Sequence, residues 1–312
     1  GCTTSMVFGD CLHSYVIADG IRDGNVLGFD PYMVCTFRDK DVRTAVALDQ
    51  AKASSVEEVY GDPAKQKVFD FFMEEVPMAG EAKEDGTYVK GIEDYLSKAQ
   101  YGAGGEHPRL VVRDIVENFR QYSKCGKFHA IFATSSIPEA INYYDLMCTM
   151  APDFKVTALF DANIDNNEGA IAKEDALLRI ISDYNASYGK EFTIPTWADM
   201  KRDISARLAH KESYATIDSH REERLDILIV VDQMLTGFDS KWVNTLYLDK
   251  VIEYESIIQA FSRTNRLFGE DKRFGVIRYY RKPHTMKRNI ERAVKLYSGD
   301  SPVDMFVNKL PI

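Results

Sequence analysis

Residues 226–266 read DILIVVDQMLTGFDSKWVNTLYLDKVIEYESIIQAFSRTNR, and this stretch decides the fold. Residues 227–231 form a β-branched apolar run that is too short for a buried helix, so they predict an internal strand of a parallel sheet. Residues 245–249 predict a second strand of the same kind. Two buried strands followed by a helical pattern indicate an α/β fold.

The segment after the second strand carries a polar group of potential functional interest. Residues 254–266 have helical spacing, with Ile257, Ile258 and Phe261 on the side that faces the core. Gln259, Arg263 and Arg266 fall within about 60° of each other on the opposite side. A glutamine and two guanidinium groups on one face predict a phosphate-binding surface, although a solvated face is the simpler alternative.

The loop between the two strands contains Thr-Gly-Phe-Asp at residues 236–239. We expect it at the carboxyl end of the first strand, where α/β sheets bind ligands. Gly237 allows a close backbone approach to a ligand. The Thr236 hydroxyl suits a phosphate oxygen, and the Asp239 carboxylate suits a sugar hydroxyl.

The wider sequence predicts the rest of the sheet. Strand-like runs occur at residues 26–37, 129–134, 155–160 and 274–280, and helical patterns occur at 110–122, 170–188, 198–209 and 284–297. Ser136, followed by Pro138 and Glu139, predicts a capped helix start that runs to about residue 150. Residues 38–109 predict a polar, irregular elaboration with one short helix from Pro63.

Three motifs in the opening stretch resemble a known family of motor proteins. T-G-F-D, N-T-L-Y-L-D-K and Q-A-F-S-R-T-N-R resemble motifs V and VI of superfamily 2 helicase-type motors, and their wording is similar to the motor (R) subunit of type I restriction enzymes. Residues 7–29 and 128–140 are also similar to that family. The Ser240-Lys241 pair departs from it, because the motif V loop usually continues there with Ala-Pro.

The resemblance implies a RecA-like parallel sheet flanked by helices, the second lobe of a P-loop NTPase-type motor without its own P-loop, with helical insertions. Residues 1–25 would be the end of the first lobe and the linker, and 281–312 the start of a C-terminal helical extension. Residues 26–280 would be the second lobe, with elaborations at 38–109 and 161–225.

The same resemblance assigns roles to residues of this chain. Arg266 and Arg263 would be catalytic, as arginine fingers toward the γ-phosphate. Gln259, Gly237 and Asp239 would bind ATP. Thr236, Ser135 and Ser136 would hold DNA phosphates, although Ser136 has the alternative of acting only as a helix cap.

Motifs for the rest of an ATP site are absent from the sequence, which has no G-x-x-x-x-G-K-[ST] and no acidic box after a strand. ATP and Mg²⁺ would therefore be held mainly by the first lobe, and the isolated chain is expected to be inactive. The five cysteines and six histidines show no metal-ligand spacing, so we predict no metal site.

Composition limits the class of protein. The 312 residues have a net charge of −9 and a pI of about 5.3, which excludes a small basic nucleic-acid-binding domain. A local basic region at residues 272–295 is a candidate for DNA-backbone contacts, a solvated face or a domain contact. The cysteine usage predicts reduced thiols in a cytoplasmic protein without membrane spans. The start at Gly1 predicts a piece of a longer protein.

The resemblance implies an ATP-dependent DNA translocase and type I site-specific deoxyribonuclease as the complete subunit. Its partners would be double-stranded DNA, the modification (methyltransferase) and specificity subunits, and the first motor lobe and nuclease domain of the same subunit. Two alternatives stay open at this point. One is a lobe of another superfamily 2 enzyme, for repair or type III restriction, and the other is a stand-alone doubly wound nucleotide-binding or flavin-binding module.

Overall fold

A computed structural model of the protein describes residues 17–83, 85–102, 104–160, 170–231 and 238–297. The described strands are β1 (Phe29–Met33), β2 (Glu81–Ala82), β3 (Tyr88–Val89), β4 (His129–Thr134), β5 (Val156–Leu159), β6 (Ile227–Val231), β7 (Val243–Asp249) and β8 (Gly275–Tyr279). Six of them form one sheet in the order β1-β8-β7-β4-β6-β5. Every pairing in this sheet is parallel, and β2 and β3 form a separate hairpin.

The described α-helices are α1 (Ile17–Arg22), α2 (Asp39–Gln50), α3 (Val56–Tyr60), α4 (Pro63–Glu74), α5 (Glu106–Tyr122), α6 (Ile137–Met150), α7 (Ala170–Tyr188), α8 (Trp197–Ala209), α9 (Glu255–Phe261) and α10 (Pro283–Tyr297). Short 3-10 turns connect several of them. Of these helices, none combines the length and apolarity needed to cross a bilayer.

The centre of the sheet is buried on both faces. Every residue of β4, β7 and β8 is buried. Most apolar residues of these strands pack in one core with side chains from α5, α6, α7, α8 and α10. Burial of both faces explains the near-continuous apolar runs in the sequence, because parallel strands are covered by helices on each side. The predicted α/β arrangement of a parallel sheet flanked by helices is confirmed.

The segment before α5 is more ordered than the sequence indicates. It contains α2, α3, α4 and the β2–β3 hairpin, with a separate hydrophobic cluster that includes Val46, Val59, Phe69 and Ile92. The predicted short helix from Pro63 is confirmed as α4, but the prediction that the rest of the segment is irregular was wrong. The helices are short and polar outside, so their shared core is spread over distant positions and leaves little periodic signal.

The helix predicted at residues 254–266 is shorter in the structure. α9 ends at Phe261, and Ser262 is its C-cap. Beyond it Thr264 and Asn265 are buried, and the Asn265 carbonyl accepts a hydrogen bond of 2.8 Å from the Leu27 backbone N–H. Because the chain leaves the helix to make these contacts, Arg263 and Arg266 do not share a helix face with Gln259.

Candidate functional site

Asp239 lies at the edge of the sheet where the strands begin, here called the amino edge. Three residues after Asp239, the Trp242 carbonyl accepts a hydrogen bond of 2.9 Å from the backbone N–H of His129, the first residue of β4. The prediction of a position at the carboxyl end of β6 was therefore wrong for Asp239. A connection between parallel strands returns the chain to the opposite edge, and by Asp239 that return is complete. Thr236 and Gly237 lie outside the described residues.

The structure brings both predicted arginines to Asp239 and its neighbour. The Arg266 Nε donates to an Asp239 carboxylate oxygen at 2.5 Å. Arg263 donates from Nη1 to the Phe238 carbonyl and from Nε to the Gln259 carbonyl at 3.1 Å. Burial lowers the pKa of Arg263, and the nearby Arg266 charge lowers it further. This group at the amino edge therefore gathers four of the predicted site residues.

The Arg266–Asp239 ion pair is open to solvent. The side chains are 42% and 62% exposed, respectively. An ion pair this exposed contributes at most about 1 kcal/mol, because water screens it and both side chains lose rotamer freedom. Arg266 can therefore exchange the carboxylate for another anion at little cost. Arg263 is half-buried, and two of its guanidinium nitrogens, Nε and Nη1, are committed to backbone carbonyls.

A buried lysine lies next to this group. Lys272 is 2% exposed, and its ammonium donates to the carbonyls of Lys241 at 3.0 Å and Val243 at 2.7 Å. Burial lowers the pKa of Lys272 to about 7, and the Arg266 charge acts in the same direction. The sequence places this residue in a basic run, but its burial carries no sequence signal.

Ser135 and Ser136 lie at the opposite, carboxyl edge of the sheet, directly after β4. The Ser136 hydroxyl accepts from the Glu139 backbone N–H at 3.4 Å, so the predicted helix cap is confirmed. The Ser135 hydroxyl donates to the Asp249 carbonyl at 3.1 Å, and its N–H donates to the Glu139 carboxylate at 3.3 Å. Both residues are half-buried and keep one side toward solvent. Their contact with DNA phosphates stays a prediction.

A buried carboxylate organises the carboxyl edge. Asp249, the last residue of β7, is fully buried and accepts hydrogen bonds from His107 Nε2 at 2.9 Å and the Tyr143 hydroxyl at 2.6 Å. The Arg281 guanidinium binds it at 3.0 Å and also holds both Glu139 oxygens at 3.0 Å. Burial alone would raise the pKa of Asp249, but the His107 and Arg281 interactions outweigh it and lower the pKa to about 2.

The sequence did not identify this network. His107 lies 142 residues before Asp249 in the chain, and no spacing rule connects them. Arg281 does belong to the predicted basic region at residues 272–295. That region is divided in the structure: Arg278 is paired inside with Asp114 at 2.6 Å, and Arg281 with the acids of the network. The predicted region is therefore not one continuous basic surface.

Within the described ranges, one group of side chains has metal-ligating atoms close together. The Cys35, Asp39 and His284 atoms lie within 4.8 Å of one another. A hydrogen bond of 2.9 Å from His284 Nε2 to Asp39 already accounts for the position of two of them. Two exposed ligands and one half-buried ligand are fewer than the four of a structural zinc site, so we assign no metal to this group.

Comparison with known proteins identifies the family. A family model described as type I restriction enzyme subunit R domain 3 matches residues 126–282, a range that contains β4 to β8 and both edge sites. The SsaAORF53P type I restriction enzyme endonuclease subunit of Staphylococcus saprophyticus is 32% identical over 97% of this chain and 28% of its own length.

Two further relatives are similar over different lengths. The SauMRSORF196P endonuclease subunit of Staphylococcus aureus strain MRSA252 is 31% identical over 97% of this chain and 28% of its own length. The HindI endonuclease subunit of Haemophilus influenzae is 27% identical over 54% of this chain and 14% of its own length. The chain thus spans little more than a quarter of the first two relatives. Because the subunit R domain 3 family model matches half of the sequence, this chain belongs to the type I restriction enzyme subunit R family.

Proposed function

We propose that this chain is the second RecA-like lobe of the motor in a type I restriction enzyme R subunit. It supplies the arginine side of an ATP site and contacts to the DNA backbone, so that ATP hydrolysis drives translocation along duplex DNA before cleavage. ATP and Mg²⁺ are held mainly by the first lobe. The modification and specificity subunits, the first lobe and the nuclease domain are its partners, and the complete enzyme acts in the cytoplasm.

The observation that carries this proposal is the exchangeable pair of Arg266 with Asp239. A γ-phosphate presented by another lobe can replace the Asp239 carboxylate, because the exposed pair holds Arg266 only weakly. The guanidinium fork then stabilises the charge that develops on the transferred phosphoryl group. Arg263 beside it adds positive charge, and Gln259, exposed on α9, senses the nucleotide.

The separation of the two edges supports a coupling role. Asp239 and the arginines lie at the amino edge, and Ser135 and Ser136 lie at the carboxyl edge. β4 has six residues, so at about 3.3 Å per residue the edges lie about 20 Å apart. A lobe with a rigid core between two such sites can convert closure around ATP into a displacement on DNA.

The test is the DNA-stimulated ATPase of the complete enzyme with Arg266→Ala in the full-length subunit. We expect ATPase to fall by about three orders of magnitude or more, as for the loss of an arginine finger. Arg266→Lys should restore only part of it, because lysine lacks the fork. Arg202→Ala is the matched control, because this arginine is 72% exposed on α8 and pairs with Asp199 at 3.0 Å at the surface, so its loss should leave the ATPase unchanged. Wild-type ATPase in Arg266→Ala would refute the finger assignment.

A further inference from the structure

A pocket of about 670 Å³ opens at the carboxyl edge, beyond the ends of β7 and β8 and between the β2–β3 hairpin and α10. Its walls include three cationic side chains, two exposed tyrosines and one buried hydroxyl: Lys282, Arg288, Arg292, Tyr88, Tyr254 and Thr285. Parallel α/β sheets bind ligands at this edge. None of these residues belongs to the sites described above.

Two side chains of the pocket hold hydrogen-bond donors that the described part of the chain leaves without a partner. The Thr285 hydroxyl is one, and the Thr285 residue is only 6% exposed. The Nε and Nη1 groups of Arg288 are the others, and both atoms are buried, although the guanidinium also interacts with the Tyr88 hydroxyl. Buried polar groups are almost always hydrogen-bonded, so three unused donors around one pocket point to an acceptor-rich ligand.

The charges of the pocket favour an anion. Arg288 and Arg292 line it together with Lys282, whereas its acids are already engaged. Asp94 accepts from the Tyr88 hydroxyl at 2.8 Å and the Gly91 N–H at 3.0 Å, and lies 3.7 Å from the Lys282 ammonium. The other acid, Glu253, accepts from the Asn289 amide at 3.5 Å.

The helix amides do not form this site. Glu93 already accepts from the first backbone N–H groups of α10, at 2.9 Å from His284 and 2.7 Å from Thr285. Arg281, at the inner wall, is committed to Asp249 and Glu139. The available donors are therefore the side chains of Arg288 and Thr285, with Arg292 and Lys282 supplying positive charge.

We propose that this pocket binds a phosphodiester group of the DNA backbone, an inference that rests on the proposed function. The Arg288 fork and the Thr285 hydroxyl donate to the non-bridging phosphate oxygens, which accept several hydrogen bonds at once. Tyr88 and Tyr254 at the rim offer flat surfaces to the adjoining sugars. The pocket lies at the same carboxyl edge as Ser135, beyond the ends of β7 and β8, so one DNA strand can contact both Ser135 and the pocket.

The experiment measures binding of the full-length subunit to a labelled duplex of about 30 base pairs by fluorescence anisotropy, from about 50 to 200 mM salt. Arg288→Gln should weaken binding about tenfold, because a charged hydrogen bond is lost. The slope of log K against log salt should become shallower by about 0.9, the value for one phosphate contact. Thr285→Val should weaken binding about fivefold without changing the slope.

Lys287→Gln is the matched control. It removes the same charge from the same helix, but Lys287 is exposed outside the pocket and lies 4.0 Å from Glu291. We expect its affinity to stay within about twofold of wild type, since an exposed charge is screened by salt. Thr285→Val also separates a loss of DNA binding from a loss of folding, because removal of a hydroxyl without a partner should leave the stability of the protein unchanged or higher.

Two results would overturn the inference. If Arg288→Gln and Thr285→Val bind duplex DNA as tightly as Lys287→Gln does, then no phosphodiester binds in the pocket. If Arg288→Gln loses affinity for ATP but keeps its affinity for DNA, then the pocket binds a nucleotide phosphate instead of the DNA backbone. Either result leaves the proposed motor function intact if the wild-type ATPase is still stimulated by DNA. A wild-type subunit that neither binds DNA nor shows DNA-stimulated ATPase would overturn both the pocket inference and the proposed function.

Discussion

Asp249→Asn tests the buried network at the carboxyl edge. The substitution keeps the shape of the side chain but removes the negative charge that faces Arg281, His107 and Tyr143. The new amide N–H group would also point at one of these donors. Removing one partner of a buried ion pair costs about 3–5 kcal/mol. Because Glu139 still compensates Arg281, we expect the low end, about 3 kcal/mol.

The assay is equilibrium unfolding in urea. With a slope of about 3 kcal/mol/M, the midpoint should fall by about 1 M. Because the folded pKa of Asp249 is about 2, below the unfolded value near 4, its contribution is complete above about pH 4 and is lost as the pH falls toward 2. The difference between wild type and variant should therefore shrink over that window.

Asp271→Asn is the control for loss of a carboxylate that pairs at the surface. Asp271 pairs with Lys127 and is 58% exposed, so its substitution should leave the midpoint unchanged. A shift for Asp249→Asn as small as that of Asp271→Asn would refute the reasoning. It would mean that the cost of burying the charged group cancels its interactions, and that the network does not stabilise this edge.

Two further predictions concern the amino edge. Gly275→Ala places a methyl group 2.1 Å from the Thr264 hydroxyl and 3.1 Å from the Thr264 carbonyl carbon. The free energy of unfolding, measured by thermal unfolding, should therefore fall by about 1–3 kcal/mol. Unchanged stability would show that the segment after α9 moves freely. Lys272→Met tests the buried ammonium. Between the folded pKa of about 7 and the unfolded pKa near 10.4, folding releases the Lys272 proton, so wild-type stability should rise with pH relative to the variant over that range. Parallel profiles of stability against pH would contradict the lowered pKa.

Local patterns in the sequence determined the elements of the sheet. The strand-like runs at residues 129–134 and 227–231 form β4 and β6, and Ser136 with Pro138 begins α6 as its cap. Burial on both faces leaves a continuous apolar run, and capping needs only residues within one turn. The motifs within residues 226–266 also sufficed for the family, which the match over 126–282 confirmed. The roles assigned to the site residues and the division into lobe and linker stay predictions.

Only the tertiary structure decided where charged side chains lie relative to the edges of the sheet. Asp239 follows β6 in sequence but lies at the amino edge with Arg266, 27 residues later. α9 ends at Phe261 because buried Thr264 and Asn265 contact the starts of other strands. Asp249 meets a histidine 142 residues away. Such contacts depend on how the chain returns between parallel strands, and no periodicity of apolar residues encodes that path.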